Sequence, residues 1–260
     1  MSEQSTVVRF RITGKEKLSF WLADKIDELG FLTLSGRAYT LKTNGATRSA
    51  SQLPSLTFAA DVAAASTNRI LFAGSATAEN NVTASDKMSW TAIVRAKALA
   101  SRKKVRPIRE GGKDYYAMIM STEQRRDLRL DPTFQTIAKA ADQRGKNNLL
   151  FTGADAVVEG VILYEHNKVF NTLGLLSGSK WGAASTVDGA QALLFGANAM
   201  GFAQIGNVFM NESDKTDYKN RPGLGVGRIL GLLKPQFKSI EDSLAREDFG
   251  VISVKTAAAA

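Results

Sequence analysis

Glu123, Asp127 and Asp131 stand four residues apart in STEQRRDLRLDPTFQ, residues 121–135, interleaved with Arg125, Arg126 and Arg129. Carboxylates at that spacing share one face of a straight helix, where mutual repulsion can set up a general acid and base. The same charges could instead form half of a surface that pairs with another copy of the chain. The flanking residues narrow the choice. Ser121 and Gln124 match the S-x-x-Q capping box, so a helix starts at the beginning of the stretch. Asp131-Pro132 ends it, because a residue before proline is pushed out of the helical region. Asp131 as N-cap and Pro132 at the first position then launch a second helix through Phe134, Ile137, Ala138 and Ala141. Asp131 thus has a structural task, and the proline separates it from the other two acids.

Other chemistry is sparse. His166 is the single histidine, so no two-histidine metal motif exists, and a nucleophilic triad would have to use His166 itself. Its place in a turn reads as structural or solvated, and Glu165 beside it does not make a metal site. There is no cysteine, which removes disulfides, thiolate nucleophiles and sulfur-held metals. G-x-S-x-G is absent, and RGKN at 144–147 lacks the flanking residues of a phosphate loop. Gly223, Gly225 and Gly227 are spaced G-x-G-x-G, which suits a bulged strand better than a dinucleotide turn. No catalytic, cofactor or metal residues are expected.

The chain of 260 residues is long enough for one large domain or two modest ones. Its 34 basic residues outnumber 25 acidic ones, giving a net charge of +9 that favours polyanionic neighbours without implying specificity. The densest basic run is KALASRKKVRPIREGGK, residues 97–113, which also reads as a solvated helix end. The absence of cysteine fits a reducing compartment. The sequence shows neither a signal peptide nor a run of ~20 apolar residues, so a soluble, cytoplasmic chain is expected.

Several elements would position these groups. Leu18, Leu22, Ile26 and Leu29 give Lys15 to Gly30 a helical stripe, with Phe20 and Trp21 at its sides and Gly30 as C-terminal cap. Residues 35–86 read as loops with two brief strands in LPSLTF and NRILFAG. Ser85 is expected to cap a helix over DKMSWTAIVRAKALASRK, with Met88, Ala92, Ala96 and Leu99 as its apolar stripe. VRPIR and DYYAMIMS come next as strands around Gly111-Gly112. VVEGVILYEHNKVF suggests two strands with a turn near His166 and Asn167. VDGAQALLFGANAMGFAQ is expected to be a helix, and GLGVGRILGLLKPQF and DFGVISVKT to be strands.

In their order, VRPIREGGKDYYAMIM, EQRRDLRLDPTF, NLLFTGADAVVEGVILYEHNKVF, GAQALLFGANAMGFAQ, DYKNRPGLGVGRILGLLKPQF and DFGVISVKT resemble segments of tailed-bacteriophage major capsid proteins, in particular the N-four-type branch. KEKLSFWLADKIDELGFLTLSG looks like that branch's long helix. The resemblance implies an α+β, Hong Kong 97-like capsid fold with a spine helix, a peripheral domain and an axial domain. Residues 1–105 would be peripheral, holding the spine helix (15–30) and a loop-rich insertion (35–86). Residues 106–235 would be axial, and 236–260 would return a C-terminal strand to the periphery. The family's N-terminal arm and extended loop precede its spine helix, where this sequence has 14 residues; MSTEQ also lacks a proline common in the branch.

The same resemblance implies a structural protein, not an enzyme, with no cofactor. It would assemble in the host cytoplasm into the virion's icosahedral shell. Its partners would be itself in pentamers and hexamers, portal, scaffolding or decoration proteins, and packaged double-stranded DNA held without sequence selection. Arg125, Arg126, Asp127 and Arg129 would pair with neighbouring subunits. Lys15, Lys17, Lys25, Lys103 and Lys104 would face DNA. The alternatives are a free nucleic-acid-binding protein using residues 97–113, a nanocompartment shell of the same fold, and an enzyme site around His166 or Asp127.

Overall fold

The computed structural model describes residues 10–49, 62–142, 157–213, 223–240 and 244–258. The side chains of Ala138 and Ala141, and the segments LPSLTF (53–58) and RGKN (144–147), lie outside what is described. Two units account for the chain: Met1–Gly30 with Phe202–Leu232, and Phe31–Gly201 with Leu233–Ala260.

In the first unit the long helix α1, Phe10–Ser35, enters from Phe10 and runs through Gly30 without a break. Gly30 is therefore not its cap. Its last turn belongs to the second unit, and the chain turns at Gly36, whose φ of 67° suits a residue without Cβ. Strands β7 (Gly201–Ser213) and β8 (Gly223–Leu233) pair as a two-stranded ribbon. At Gly227 an added Cβ would come 2.3 Å from the Phe209 ring, so glycine there lets the aromatic side chain lie across the strand. Lys15 on α1 is ion-paired with Glu212 on β7.

A seven-stranded sheet organises the second unit. Its strands are β1 (Ile70–Phe72), β2 (Ile108–Glu110), β3 (Lys113–Met120), β4 (Val157–Val158), β5 (Val161–Glu165), β6 (Gly189–Phe195) and β11 (Val251–Ala257). They lie in the order β1-β11-β6-β3-β5-β4, with β2 paired to β3. Because β1, β3 and β11 share this sheet, the chain groups along different lines from cuts after residues 105 and 235. A smaller hairpin, β9 (Gln236–Lys238) with β10 (Arg246–Asp248), precedes β11.

Helix α2 (Trp90–Arg102) lays Ala92, Ile93, Ala96 and Leu99 on one sheet face against Met118, Met120, Leu163, Leu194 and Val254. Phe31 and Leu34, from the last turn of α1, pack on Leu193, Phe195 and Val251 of the opposite face. That double cover explains the main departure from expectation. The segment GAQALLF is a strand, not a helix, with all seven residues buried. A strand covered on both faces loses its alternation, and a continuous apolar run then reads equally well as either element.

Local signals behaved variously. Glu110 pairs with Lys113 across Gly111-Gly112, both at positive φ, as a tight hairpin requires. Ser89, not Ser85, caps α2, its side chain accepting from Ala92 N; Asp86 instead accepts from Thr83 N at 2.8 Å. The second hairpin turns at Glu159-Gly160 between β4 and β5, whereas His166 lies just past the end of β5 with no paired strand after it.

Candidate functional site

The charged stretch forms helix α3 (Thr122–Leu130), with α4 (Pro132–Asp142) directly after it. Its capping box is complete, and the box residue Gln124 does more than cap. Its Nε2 donates to Ala190 O on β6 at 3.2 Å and to Thr256 Oγ1 on β11 at 2.9 Å, which docks the helix on the sheet.

The three acids do not converge. Asp131 accepts from Thr133 N at 3.2 Å and from Trp90 N at 2.7 Å, so one carboxylate serves the starts of α4 and α2 together. Asp127 is 4% exposed and its Oδ1 accepts from Arg126 Nε at 3.2 Å and Nη2 at 3.1 Å. Glu123 is half-buried on the first turn.

This geometry corrects the interface set. Arg125 and Asp127 are buried within the subunit and cannot meet a neighbour's charges, while Arg126 and Arg129 remain exposed, next to the exposed Leu130. The reason is helical phase: Gln124, Arg125, Asp127 and Leu128 occupy the inward side, leaving positions 126, 129 and 130 outward.

The five lysines are not equivalent either. Lys15 is paired with Glu212, Lys25 lies 2.6 Å from Glu28, and Lys103 lies 3.6 Å from Glu247. Lys17 and Lys104 are exposed. His166 accepts from Lys168 N at its Nδ1, 3.1 Å away, and its ring stacks on Phe31 at 4.7 Å, a packing role.

Three charge clusters were missed in the sequence. Arg37 and Lys255 both hold Glu79, Lys255 at 2.7 Å, and Arg37 also lies over the Phe170 ring. Burial alone would raise the Glu79 pKa, but the two cations together hold it below the usual value; burial pushes the Lys255 ammonium down, with Glu79 opposing. Arg69 Nε meets Glu247 Oε2 at 3.0 Å. Lys234 Nζ donates to Asp248 at 3.0 Å and to Ala64 O at 3.2 Å; burial lowers its pKa and Asp248 works against that.

Each cluster joins segments far apart in the chain. Only one signal hinted at them: Lys234 and Lys255 are lone charges inside the apolar runs LLKPQ and VISVKT, and a charge inside such a strand needs a partner.

Among the described residues no group of acids and histidine is placed to hold a metal, and no helix is long and apolar enough to cross a membrane. These charges tie distant segments of the chain to one another. The family model for phage capsid protein matches residues 1–260. The major capsid protein of Pseudomonas phage KPP25 is 42% identical over 268 residues, spanning 99% of this chain and 70% of that protein.

Among solved structures, the capsid of Ralstonia phage GP4 is similar with a TM-score of 0.76 at 26% identity, covering 99% of this chain and 70% of that one. The capsid of cyanophage Pam1 shares the fold, with a TM-score of 0.71 at 17% identity over 99% and 72% of the two chains. The chain belongs to the phage capsid protein family, and it is a major capsid protein.

Proposed function

We propose that this capsid protein builds the icosahedral head shell of a tailed double-stranded DNA phage, in a Hong Kong 97-like fold, through pentamers and hexamers of itself. The observation that carries the reading is the 42% identity across nearly the whole chain to a major capsid protein. The distribution of charge supports it: buried pairs fix the subunit's own shape, and Arg126 and Arg129 are left outward for neighbours. An exposed ion pair contributes only ~0–1 kcal/mol, so contacts of this kind act by repetition and let misplaced subunits leave.

On this reading α1 with the β7–β8 ribbon takes the peripheral place and the sheet-bearing unit the axial one. Lys17 and Lys104 are the members of the lysine set best exposed to packaged DNA, with contact that is blind to sequence and weakened by salt. Assembly in the host cytoplasm, and portal, scaffolding or decoration partners, belong to the same reading.

Negative-stain microscopy of the purified protein tests it. Closed shells are expected as concentration is raised. A monomer or dimer at every concentration and salt, retaining DNA in solution, would replace the reading with that of a free nucleic-acid-binding protein.

A further inference from the structure

Two surfaces of this chain carry opposite charges around apolar residues. The first is a groove of about 780 Å³ between the edge strand β1 and helix α2. Ile70, Leu71, Ala98 and Leu99 give it an apolar strip of floor, Thr67 and Asn68 line it as well, and Arg95 and Arg102 stand on its helix side, both exposed. Arg95 donates one hydrogen bond to Gly74 O at 3.0 Å, which leaves most of its five N–H donors for another partner. Lys103 also lines the groove and is partnered by Glu247.

The second surface is the outward face of α1. Phe20 is 75% exposed in mid-helix, with Trp21 beside it at 40%. Glu16, Asp24 and Asp27 share that face with Phe20 at helical spacing and are exposed, with Lys25 4.0 Å from Asp24; Lys17 stands at the edge of the face.

The spacings agree. Glu16 and Asp24 flank Phe20, and eight residues of helix separate them by about 12 Å along the axis. Arg95 and Arg102 flank Ala98 and Leu99, and seven residues separate them by about 10.5 Å. One surface reads acid, aromatic, acid; the other reads cation, apolar, cation. A helix laid in a groove through anchors one turn apart is a recurring recognition mode.

Resting on the reading of the chain as a shell subunit, we propose that the acidic aromatic face of α1 in one copy docks into the α2–β1 groove of a second copy. Phe20 sits on the Ala98–Leu99 floor, and Glu16 and Asp24 meet the two arginines. The two surfaces differ, so the contact is head to tail and propagates around a ring, as a shell requires. An acidic surface of a different protein, or nucleic acid on the arginines, are the other occupants the groove could take.

The absence of cysteine makes disulfide trapping clean. Ala23→Cys, on the α1 face, and Ala98→Cys, in the groove, are prepared as separate chains, mixed, assembled and oxidised. A disulfide needs Cα atoms within about 7 Å. A linked dimer in the assembled particles is expected, and only background when Ala23→Cys is mixed with a control Ala184→Cys, on an exposed loop.

Arg95→Glu with Arg102→Glu in the groove chain should abolish the link, and Glu16→Lys with Asp24→Lys in the face chain should restore it. Rescue of that kind cannot come from misfolding. Normal particles with no link above the control overturn the proposal and leave the shell reading standing. Loss of DNA retention in the arginine variant, with the link at control level, overturns it in favour of a polyanion site. Failure of the unmodified chain to form any particle overturns both.

Discussion

Arg69 Nε and Glu247 Oε2 lie 3.0 Å apart across 178 positions of sequence, with 1% and 3% of their side chains exposed. Arg69 Nη2 also donates to Lys103 O at 3.0 Å, and its guanidinium lies over the Phe237 ring. The pair therefore fastens the β9–β10 hairpin to the turn before β1 and to the end of α2. Removing one partner strands the other as an uncompensated buried charge, which costs about 3–5 kcal/mol. Glu247→Ala is expected to lower the urea midpoint of the unassembled subunit accordingly. Arg69→Met with Glu247→Leu should cost less than Glu247→Ala alone, because the fully buried Arg69 charge leaves with its partner and only Lys103, which reaches solvent, loses Glu247.

How far such features could be read in advance depends on how local their cause is. The Gly111-Gly112 hairpin, the Ser121/Gln124 box and the stop at Asp131-Pro132 were legible, since each is set by residues within one turn of one another. Strand β6 was misread as a helix because its identity depends on α2 above and the end of α1 below, neither of which its own sequence reveals. Gly30 was misread as a cap for a similar reason, α1 continuing into a turn that packs on the sheet. The helical phase of α3 was not legible, so Arg125 and Asp127 were placed outward although α3 turns them in.

Acid sensitivity follows from Glu79. Burial works to raise its pKa, yet Arg37 and Lys255 hold it below 4.5 in the folded chain. The unfolded chain therefore takes up the proton first as pH falls. The stability this group contributes is complete above about pH 4.5 and declines as pH drops toward the folded value. Unfolding midpoints measured from about pH 6 down to about pH 3 should fall, and Glu79→Gln should flatten that decline, starting from a lower stability at pH 6. An unchanged slope in Glu79→Gln would mean the linkage lies with other carboxylates.

Gly189 tests the packing of β6. A Cβ built there would lie 1.9 Å from Cε3 of the buried Trp181. The indole cannot retreat cheaply, because its backbone is held to Val187 in both directions and Val82 and Ala257 pack around it. Gly189→Ala is expected to cost about 1–3 kcal/mol or more, the range for overpacking a filled core. Trp181 emission should shift in the same variant. Gly231→Ala on β8, with nothing within 4 Å of the added atom, is the matched control and should stay near wild type.

The part in assembly proposed for α3 is separated from its part in folding by choosing the residue according to its phase. Asp127→Lys would force a second cation beside Arg126 at a position 4% exposed, so it should unfold the subunit, and any loss of shells would then be uninformative. Arg129 is exposed in the last turn, where reversal to glutamate opposes the helix dipole by only a few tenths of a kcal/mol. Arg129→Glu is therefore expected to leave the urea midpoint within about 0.5 kcal/mol of wild type while reducing shell yield and raising the concentration at which shells appear. Contacts repeated throughout a shell multiply a small defect, whereas a single folding transition registers it once. Shells forming at the wild-type concentration in Arg129→Glu would show that this end of α3 faces solvent in the assembled particle.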